Sequence, residues 1–410
     1  MNVETKVARE AIPAHVDPAF VRDYNVFQGY RFDEIGDLHE GLFRMGEELG
    51  RGIFWTPHNG GHWFINDHEL LFQAVRKPDL FSSSKMTIPP MPPEQEPVFI
   101  PLTLDPPEHG PFRMPLMKAF APDAIMKMEA GIRSLARGLI EAVVPNGRCE
   151  FIDAIGEPLP VTVFMNMMGM PLERMTEFRE WMFDMASDDN ARRANAYVRV
   201  TEAMGELIRE RENGRKDDLI SRLMDTDIDG RPPSFEENQS YGMLLFTAGL
   251  DTLVNGFSFG VFELTRQPAL QERIKADRSL IPALIEELLR RYGIPMPPRI
   301  VMHDAEFGGV HLKQGDRVVM MLPAGNLDPQ SFEDPLRFDI DREEVPHLAF
   351  NSGPHRCVGS HLARLELRVF FEEWFRAMPT VRLDPEDKPV YRPGLNLAIV
   401  KLPIIWDVPL

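Results

Sequence analysis

The segment Phe350-Asn351-Ser352-Gly353-Pro354-His355-Arg356-Cys357-Val358-Gly359 places Phe, Gly, Cys and Gly at the spacing Phe-x-x-Gly-x-x-x-Cys-x-Gly. At ordinary residue frequencies about one chain in a thousand of this length carries that spacing by chance, so the match is specific enough to build on. Gly353 and Gly359 allow the backbone to approach a flat ligand closely. Cys357 stands just before an amphipathic helix marked by Leu362, Leu365, Val369 and Phe370. The helix N-terminus, its amides and Arg356 favour thiolate over thiol. A soft anionic sulfur in such a loop suits the axial position of a haem iron. The plainer alternative is a buried cysteine in a glycine-rich turn.

Upstream, Glu287-Leu288-Leu289-Arg290 sets a carboxylate and a guanidinium at i, i+3 on one helix face, where they can pair. Most such pairs are solvated surface contacts. Arg337, in Pro335-Leu336-Arg337-Phe338, adds a second guanidinium ahead of the cysteine loop, so a Glu287–Arg290–Arg337 cluster is expected to brace that loop. Further upstream, residues 234–266 open with Ser234 and Glu237 at capping-box spacing and stop before Pro268. A helix of about 33 residues would run ~50 Å and cross the molecule. Its middle, Leu244-Leu245-Phe246-Thr247-Ala248-Gly249-Leu250-Asp251-Thr252, is apolar on nearly every face yet combines Gly, Asp and Thr, which are poor helix formers. The Thr252 hydroxyl can bond the Ala248 carbonyl and open the ladder locally, leaving room for dioxygen and water. Taken alone, Thr252 satisfying itself in a core helix, with Asp251 in a salt bridge, is the commoner arrangement.

Across its 410 residues the chain is 43% hydrophobic, enough to bury a sizeable core. No repeat, low-complexity block or charged linker divides it, so residues 1–410 read as a single domain. Helical patterns dominate at 123–143, 171–187, 195–211, 234–266, 280–292 and 359–377, against short strand patterns at 62–65, 317–321 and 398–402. The fold class expected is mainly α with a minor β-sheet region (α+β), built on a long central helix. The proline-rich stretch 89–107 cannot be regular helix or central strand and is expected to be a long loop lining a site. The longest apolar runs, such as Met243–Phe246 and Ile281–Leu284, are broken well short of a membrane span. The start of the chain shows no apolar leader, so a cytoplasmic location is expected. Cys149 and Cys357 are the only cysteines, too few for a disulfide framework. A net charge of −18 disfavours nucleic acid and anionic membranes as general partners. The 23 methionines suit irregular core filling or an adaptable apolar pocket.

In this order and at these intervals the motifs resemble the cytochrome P450 superfamily over nearly the whole chain. The resemblance is greatest to the bacterial camphor 5-monooxygenase group, through Asn59-Gly60-Gly61-His62-Trp63, Asp105-Pro106-Pro107-Glu108, Gly249-Leu250-Asp251-Thr252 and Glu286-Glu287-Leu288-Leu289-Arg290-Arg291. It implies haem b (iron protoporphyrin IX) with Cys357 as iron ligand and Phe350, Gly353 and His355 around it. It also implies Asp251 and Thr252 as a proton-delivery pair, and His109, Arg113, Arg299 and His355 on the haem propionates. His109 and Arg113, at i, i+4, could share one anion. The substrate pocket implied comprises Ile88, Phe99, Leu102, Leu244, Thr247, Ala248, Pro295, Leu395 and Asn396, with Thr247 and Asn396 as its polar handles.

The sequence departs from the camphor pattern in the long loop. Camphor-oxidising members carry Tyr-x-Phe-Ile-Pro, whose hydroxyl holds the substrate ketone; this chain has Pro97-Val98-Phe99-Ile100-Pro101. An apolar substrate of terpenoid or norisoprenoid type is expected in place of camphor. With no flavin or nicotinamide motif visible, electrons are expected from a 2Fe-2S ferredoxin and its NAD(P)H-dependent reductase. Arg113, Lys118, Arg356, Arg364 and Arg368 form the basic patch that would dock it. Other readings are a haem protein that binds ligand without turnover, or one that uses peroxide or acts on another hydrophobic substrate class; the intact Asp251-Thr252 pair argues against the first two.

Overall fold

The computed structural model describes residues 11–92, 96–185 and 190–408. The first ten residues, read above for a leader, lie outside them, as do Pro93–Gln95 of the proline-rich stretch. About 51% of the chain is helical and 11% strand, the mainly α composition expected. The first half carries helices α1 (Phe32–Ile35), α2 (Leu38–Leu49), α3 (His68–Ala74), α4 (His109–Ala119), α5 (Pro122–Met126), α6 (Glu129–Val143), α7 (Pro158–Met168), α8 (Met175–Met185) and α9 (Asn190–Asn213). The second half carries α10 (Leu219–Met224), α11 (Phe235–Gly249), α12 (Asp251–Arg266), α13 (Pro268–Ala276), α14 (Ile281–Arg291), α15 (Leu322–Gly325) and α16 (Ser360–Ala377).

The strands are β1 (Ile53–Thr56), β2 (His62–Ile65), β3 (Phe81–Ser82), β4 (Arg148–Glu150), β5 (Pro298–Val301), β6 (Ala305–Phe307), β7 (Val310–Leu312), β8 (Arg317–Met320), β9 (Arg382–Leu383), β10 (Val390–Arg392), β11 (Ala398–Lys401) and β12 (Pro403–Ile405). The main sheet has the order β1-β2-β8-β5-β3, with β2 and β8 parallel and the other neighbours antiparallel. Ile53, Trp55, Trp63 and Val318 of this sheet form one apolar cluster, and a larger one fills the space among the helices. Within the larger cluster α16 lies against α6, and Arg133 of α6 reaches Glu372 at 2.6 Å and Glu373 at 3.1 Å.

Several helix limits differ from those expected. The pattern at 123–143 breaks between α5 and α6 at Lys127-Met128, with no proline or glycine to signal it. The pattern at 171–187 begins as a 3-10 turn, Leu172–Arg174, before α8; Ala186 and Ser187 lie outside the described residues. The central helix is two helices. Its capping box forms, with Ser234 Oγ accepting from Glu237 N–H at 3.2 Å and Glu237 accepting from Ser234 N–H at 2.7 Å. It is interrupted at Leu250 (φ −95°, ψ −64°), where the Leu253 N–H turns to Leu250 O at 3.2 Å, one residue short of its helical partner. The stretch Phe235–Arg266 is long and apolar enough to cross a membrane, contrary to the sequence reading. Its most apolar window is 61% buried inside the fold, as a core helix requires.

The expected Glu287 cluster forms with a change of membership. Arg290, fully buried, bonds both Glu287 oxygens at 2.7 Å and the carbonyls of Asn326, Pro335 and Arg337 at 2.9–3.1 Å. Arg337 contributes only that carbonyl; its own side chain is exposed and lies 3.4 Å from Asp339. The second guanidinium on Glu287 is Arg342, at 3.1 Å. The proline-rich loop is pinned to α11, since Ser240 Oγ accepts from Ile100 N–H and donates to Val98 O, both at 2.8 Å.

Beside this cluster, Glu286 ties α14 to α16 through Arg364 (2.6 and 2.8 Å) and to the following loop through His347 (3.1 Å). Burial alone would raise the Glu286 carboxyl, but the bonds from Arg364 and His347 outweigh it and hold the group at about 2, below the ordinary 4.5. A carboxyl depressed in the folded state adds stability that is complete above the unfolded value and fades as pH falls toward the folded one. Urea midpoints measured from pH 6 to roughly pH 2 should therefore show a shallower acid limb in Glu286→Gln than in the parent. An identical limb in the variant would show that solvent screens the pair.

Candidate active site

Cys357 stands between the 3-10 turn Gly353–His355 and α16. Its N–H donates to Phe350 O at 2.8 Å and the Arg356 N–H to Gly353 O at 3.1 Å, so the loop folds back on itself. Gly353 is demanded by this turn: its φ is +68°, and a Cβ there would lie 2.7 Å from Val75 O. Gly359 is not, because its φ is −79° and its Cβ would meet only Cys357 Sγ at 3.8 Å. What Gly359 gives is a backbone hydrogen bond to that sulfur. Phe350 flanks the loop, with the Arg364 guanidinium 4.7 Å from its ring centre.

The groups expected to favour a thiolate do act in that direction, against the burial of the sulfur. Cys357 as a residue presents surface, yet burial of its sulfur raises the thiol above its ordinary value. Gly359, Arg113, Arg364 and Arg356 offset this only in part. Ionisation here depends on a bound cation. Cys149, on β4, is pushed up to about 12 by burial and stays an inert thiol. Among the described residues no group of three or more His, Cys, Asp or Glu could hold a bare metal ion. An iron with one protein ligand and a porphyrin for the rest is compatible with that.

The side chains expected at the propionates gather as a group. The His109 and His355 rings are 4.6 Å apart, and His109 Nε2 and both His355 ring nitrogens are buried with no hydrogen-bond partner among the described residues. His355 Nε2 comes within 3.7 Å of Asp105 Oδ1, too far for a hydrogen bond. Arg299, on β5, is buried and among the described residues donates only to Pro298 O at 2.7 Å; burial pulls it down to about 10. Arg113 donates to Arg356 O. His109 is lowered to about 4, first by burial and then by the positive fields of His355 and Arg113. Burial would raise Asp105, but His355, Ser82 and the Ser83 N–H hold it below its ordinary value. Two guanidiniums beside buried imidazoles with ring nitrogens that lack partners among the described residues call for anions. Two carboxylates on a flat ring fit this donor set. In the middle of the long helix Ala248 and Gly249 are exposed while Phe246 and Leu250 are buried, a small-residue face against which a ring can lie.

At the helix break, Thr252 Oγ1 donates to Ala248 O at 3.1 Å, the bond expected. Asp251 is held by three side chains. Arg392 donates to Oδ1 at 3.1 Å, Asn255 to Oδ1 at 3.3 Å and Asn396 to Oδ2 at 3.4 Å. Asn255 also donates to Asp251 O at 2.7 Å, filling the opened ladder. Arg392 and Asn255 were missed in the sequence. Asn255 is one turn from Asp251 and could have been found; Arg392, on β10, carries no local signal. Glu366 on α16 was also missed: it is buried, and burial drives its carboxyl well above the ordinary value.

A cavity of about 230 Å³ reaches from Asp251 to α8 and α9, lined among others by Met182, Tyr197, Phe246 and Leu395. Of the nine expected pocket residues, Thr247, Leu395 and Asn396 line it. Ile88 and Phe99 are buried in the apolar core, with Leu102 and Leu244 packed against it. Ala248 is exposed beside the break, and Pro295 pairs with Asn396 across a single β-bridge. The two expected polar handles are spent: Thr247 Oγ1 donates to Met243 O at 2.8 Å and Asn396 to Asp251. A larger cleft, about 340 Å³ and lined by Asp23, Asn25, Tyr30 and His58, shares no residue with this one.

Two of the five members of the expected basic patch are neutralised. Arg364 is paired with Glu286, and Arg368 with Glu129 at 2.7 Å and Glu372 at 3.1 Å.

The cytochrome P450 family model matches residues 141–403. A probable cytochrome P450 127A1 of Sinorhizobium fredii is 30% identical over 98% of each chain. The methyl-branched lipid omega-hydroxylase of Mycobacterium tuberculosis is 31% identical, covering 90% of this chain and 92% of its own. The crystal structure of CYP101J2 matches with a TM-score of 0.89 at 31% identity, over 97% of this chain and 100% of that one. This chain belongs to the cytochrome P450 family: it is a monooxygenase that uses haem b and dioxygen and draws electrons from redox partners.

With Cys149 held as a thiol, the reduced protein under carbon monoxide should show the long-wavelength Soret band of a thiolate-ligated haem, and Cys357→Ala should lose it. A band that persists in the variant would remove Cys357 from the iron.

Proposed function

We propose that this chain, acting as one domain in the cytoplasm, hydroxylates an unactivated C–H bond of an apolar molecule of terpenoid or norisoprenoid size. Its electrons come from a 2Fe-2S ferredoxin served by an NAD(P)H-dependent reductase. The balance is RH + O₂ + 2 e⁻ + 2 H⁺ giving ROH + H₂O. The observation that carries this reading is the helix opening at Leu250, where Thr252 Oγ1 bonds Ala248 O and the adjacent Asp251 lines a cavity walled in part by Met182, Phe246 and Leu395.

In this reading Cys357 holds the iron, and His109, Arg113, Arg299 and His355 hold the propionates. Bound haem supplies oxygen activation and transfer of one oxygen atom. The chain does the rest. Asp251 brings protons to the opening, and its three partners fix where its carboxylate stands. Thr252 Oγ1, tied to Ala248 O, holds a hydroxyl where a proton is handed on. Phe246, Leu395 and the side chains of α8 exclude water from the substrate. The cavity volume lies at the small end for ligand sites, which favours a compact molecule over a long lipid chain. Burying ~250 Å² of such a ligand at ~25 cal/mol per Å² offers roughly 6 kcal/mol before association costs, so shape must fit well for micromolar binding. The mostly buried placement of Phe235–Arg266 is in keeping with work away from a membrane.

Thr252→Ala should keep substrate binding and NADH consumption but send most of the electrons to hydrogen peroxide, because two ordered proton deliveries are needed for O–O cleavage. Product and peroxide measured against NADH consumed give the answer. A fully coupled variant would take Thr252 out of the mechanism.

A further inference from the structure

The cavity beside Asp251 has an apolar body and a rim of polar groups, most of which are engaged with one another. Thr247 donates to Met243 O, Asn396 donates to Asp251, and Arg392 is paired with Asp251. Tyr197 differs. It lines the cavity from α9, and its hydroxyl has no hydrogen-bond partner among the described residues. Its ring leans on Phe99 of the proline-rich loop, with centroids 6.3 Å apart and planes at 36°. That contact fixes the ring and leaves the hydroxyl as the polar end of an otherwise apolar wall. Arg193, one turn earlier on α9, lines the same cavity. A phenol donor without a partner among the described residues makes that wall a place for an oxygen acceptor. Burial raises the phenol's pKa, so it stays a donor at working pH.

We infer that Tyr197 is the specificity-determining anchor of this site, donating one hydrogen bond to a carbonyl oxygen on an otherwise apolar substrate. This rests on the reading of the cavity as the substrate site and names the feature its substrate carries. Pro97 stands where the Tyr hydroxyl would be, and the hydroxyl of Thr103 in the same loop is bonded to the Phe99 backbone; Tyr197 supplies one beside the Phe99 ring. A carbonyl held at α9 orients the molecule, with its saturated end directed toward Asp251 and Thr252.

The test is a spin-state titration of the ferric holoenzyme with β-ionone, a cyclic norisoprenoid ketone, and with the hydrocarbon of the same skeleton lacking the carbonyl. The parent should bind the ketone roughly five- to tenfold more tightly. In Tyr197→Phe, which keeps the ring against Phe99, that preference should fall to about one while the hydrocarbon affinity holds, and turnover of the ketone should spread from one product to several. An unchanged carbon monoxide spectrum confirms that the variant is folded and loaded. Retention of the ketone preference in Tyr197→Phe would overturn the role of Tyr197 and leave the substrate reading standing. A parent protein whose spin state responds to neither ligand would overturn the substrate reading itself, and this inference with it.

Discussion

A guanidinium taken out of water must find acceptors for its donors, and Arg290 finds them in a way that organises the second half of the chain. Two of its bonds go to Glu287, one turn away on α14. The others go to the carbonyls of Asn326, Pro335 and Arg337. Glu287 in turn accepts from Arg342 and from the Asp339 N–H at 2.9 Å. The chain from 326 to 342 is thereby closed around one buried ion pair. Removing either partner would strand a charge, at a cost of about 3–5 kcal/mol. The stretch that follows leads directly into the Cys357 loop. Glu286, next in sequence, faces the other way and fastens the same helix to α16 through Arg364. Both sides of the cysteine loop are therefore anchored on α14, and the loop's own bonds need only shape its last few residues.

The site opposite that loop depends on a different competition, between a side-chain hydroxyl and the backbone for one carbonyl. Thr252 Oγ1 takes Ala248 O, and the ladder opens at Leu250. Such an opening would leave backbone groups without partners in a core. Asn255 meets part of that need by donating to Asp251 O while its own Oδ1 accepts from the Ile399 N–H at 3.1 Å. The break is thus supported from β11, a strand remote in sequence. Asp251 is likewise steadied by Arg392 and Asn396, on either side of the turn joining β10 to β11. That turn forms one wall of the cavity, so cavity and carboxylate share a supporting element.

Charge is distributed against the overall balance of −18. His109, Arg113, Arg299 and His355 concentrate positive character in a region where burial depresses each group. On the flank of α16 the opposite holds, since Glu129, Glu286 and Glu372 cancel Arg364 and Arg368. The paired arginines of that flank are worth little as a long-range field and are readily screened, whereas Lys118 and Arg356 stand exposed.

The sequence by itself determined whatever depends on short, contiguous patterns. The helical class, the start of α16, strand β2, the capping box at Ser234 and the cysteine loop follow from residues within a few positions of one another, because periodicity, caps and turns are local. It also located Thr252, since a hydroxyl reaching the carbonyl four residues back is a local event. Tertiary structure alone decided which groups meet across the fold. Arg337 was expected beside Glu287 from its place in the chain, yet Arg342 took that position, because the loop's path puts the Arg337 carbonyl inside and its side chain outside. Thr247 and Asn396 looked like free polar handles, but one bonds its own helix and the other reaches Asp251, 145 residues away. The thiol of Cys357 is governed by burial, which no count of neighbouring arginines in sequence reveals. Tyr197 looks like an ordinary helix residue until α9 is laid beside Phe99. Hydrogen-bond partners and desolvation are properties of three-dimensional neighbours, and a chain's order lists only the neighbours along it.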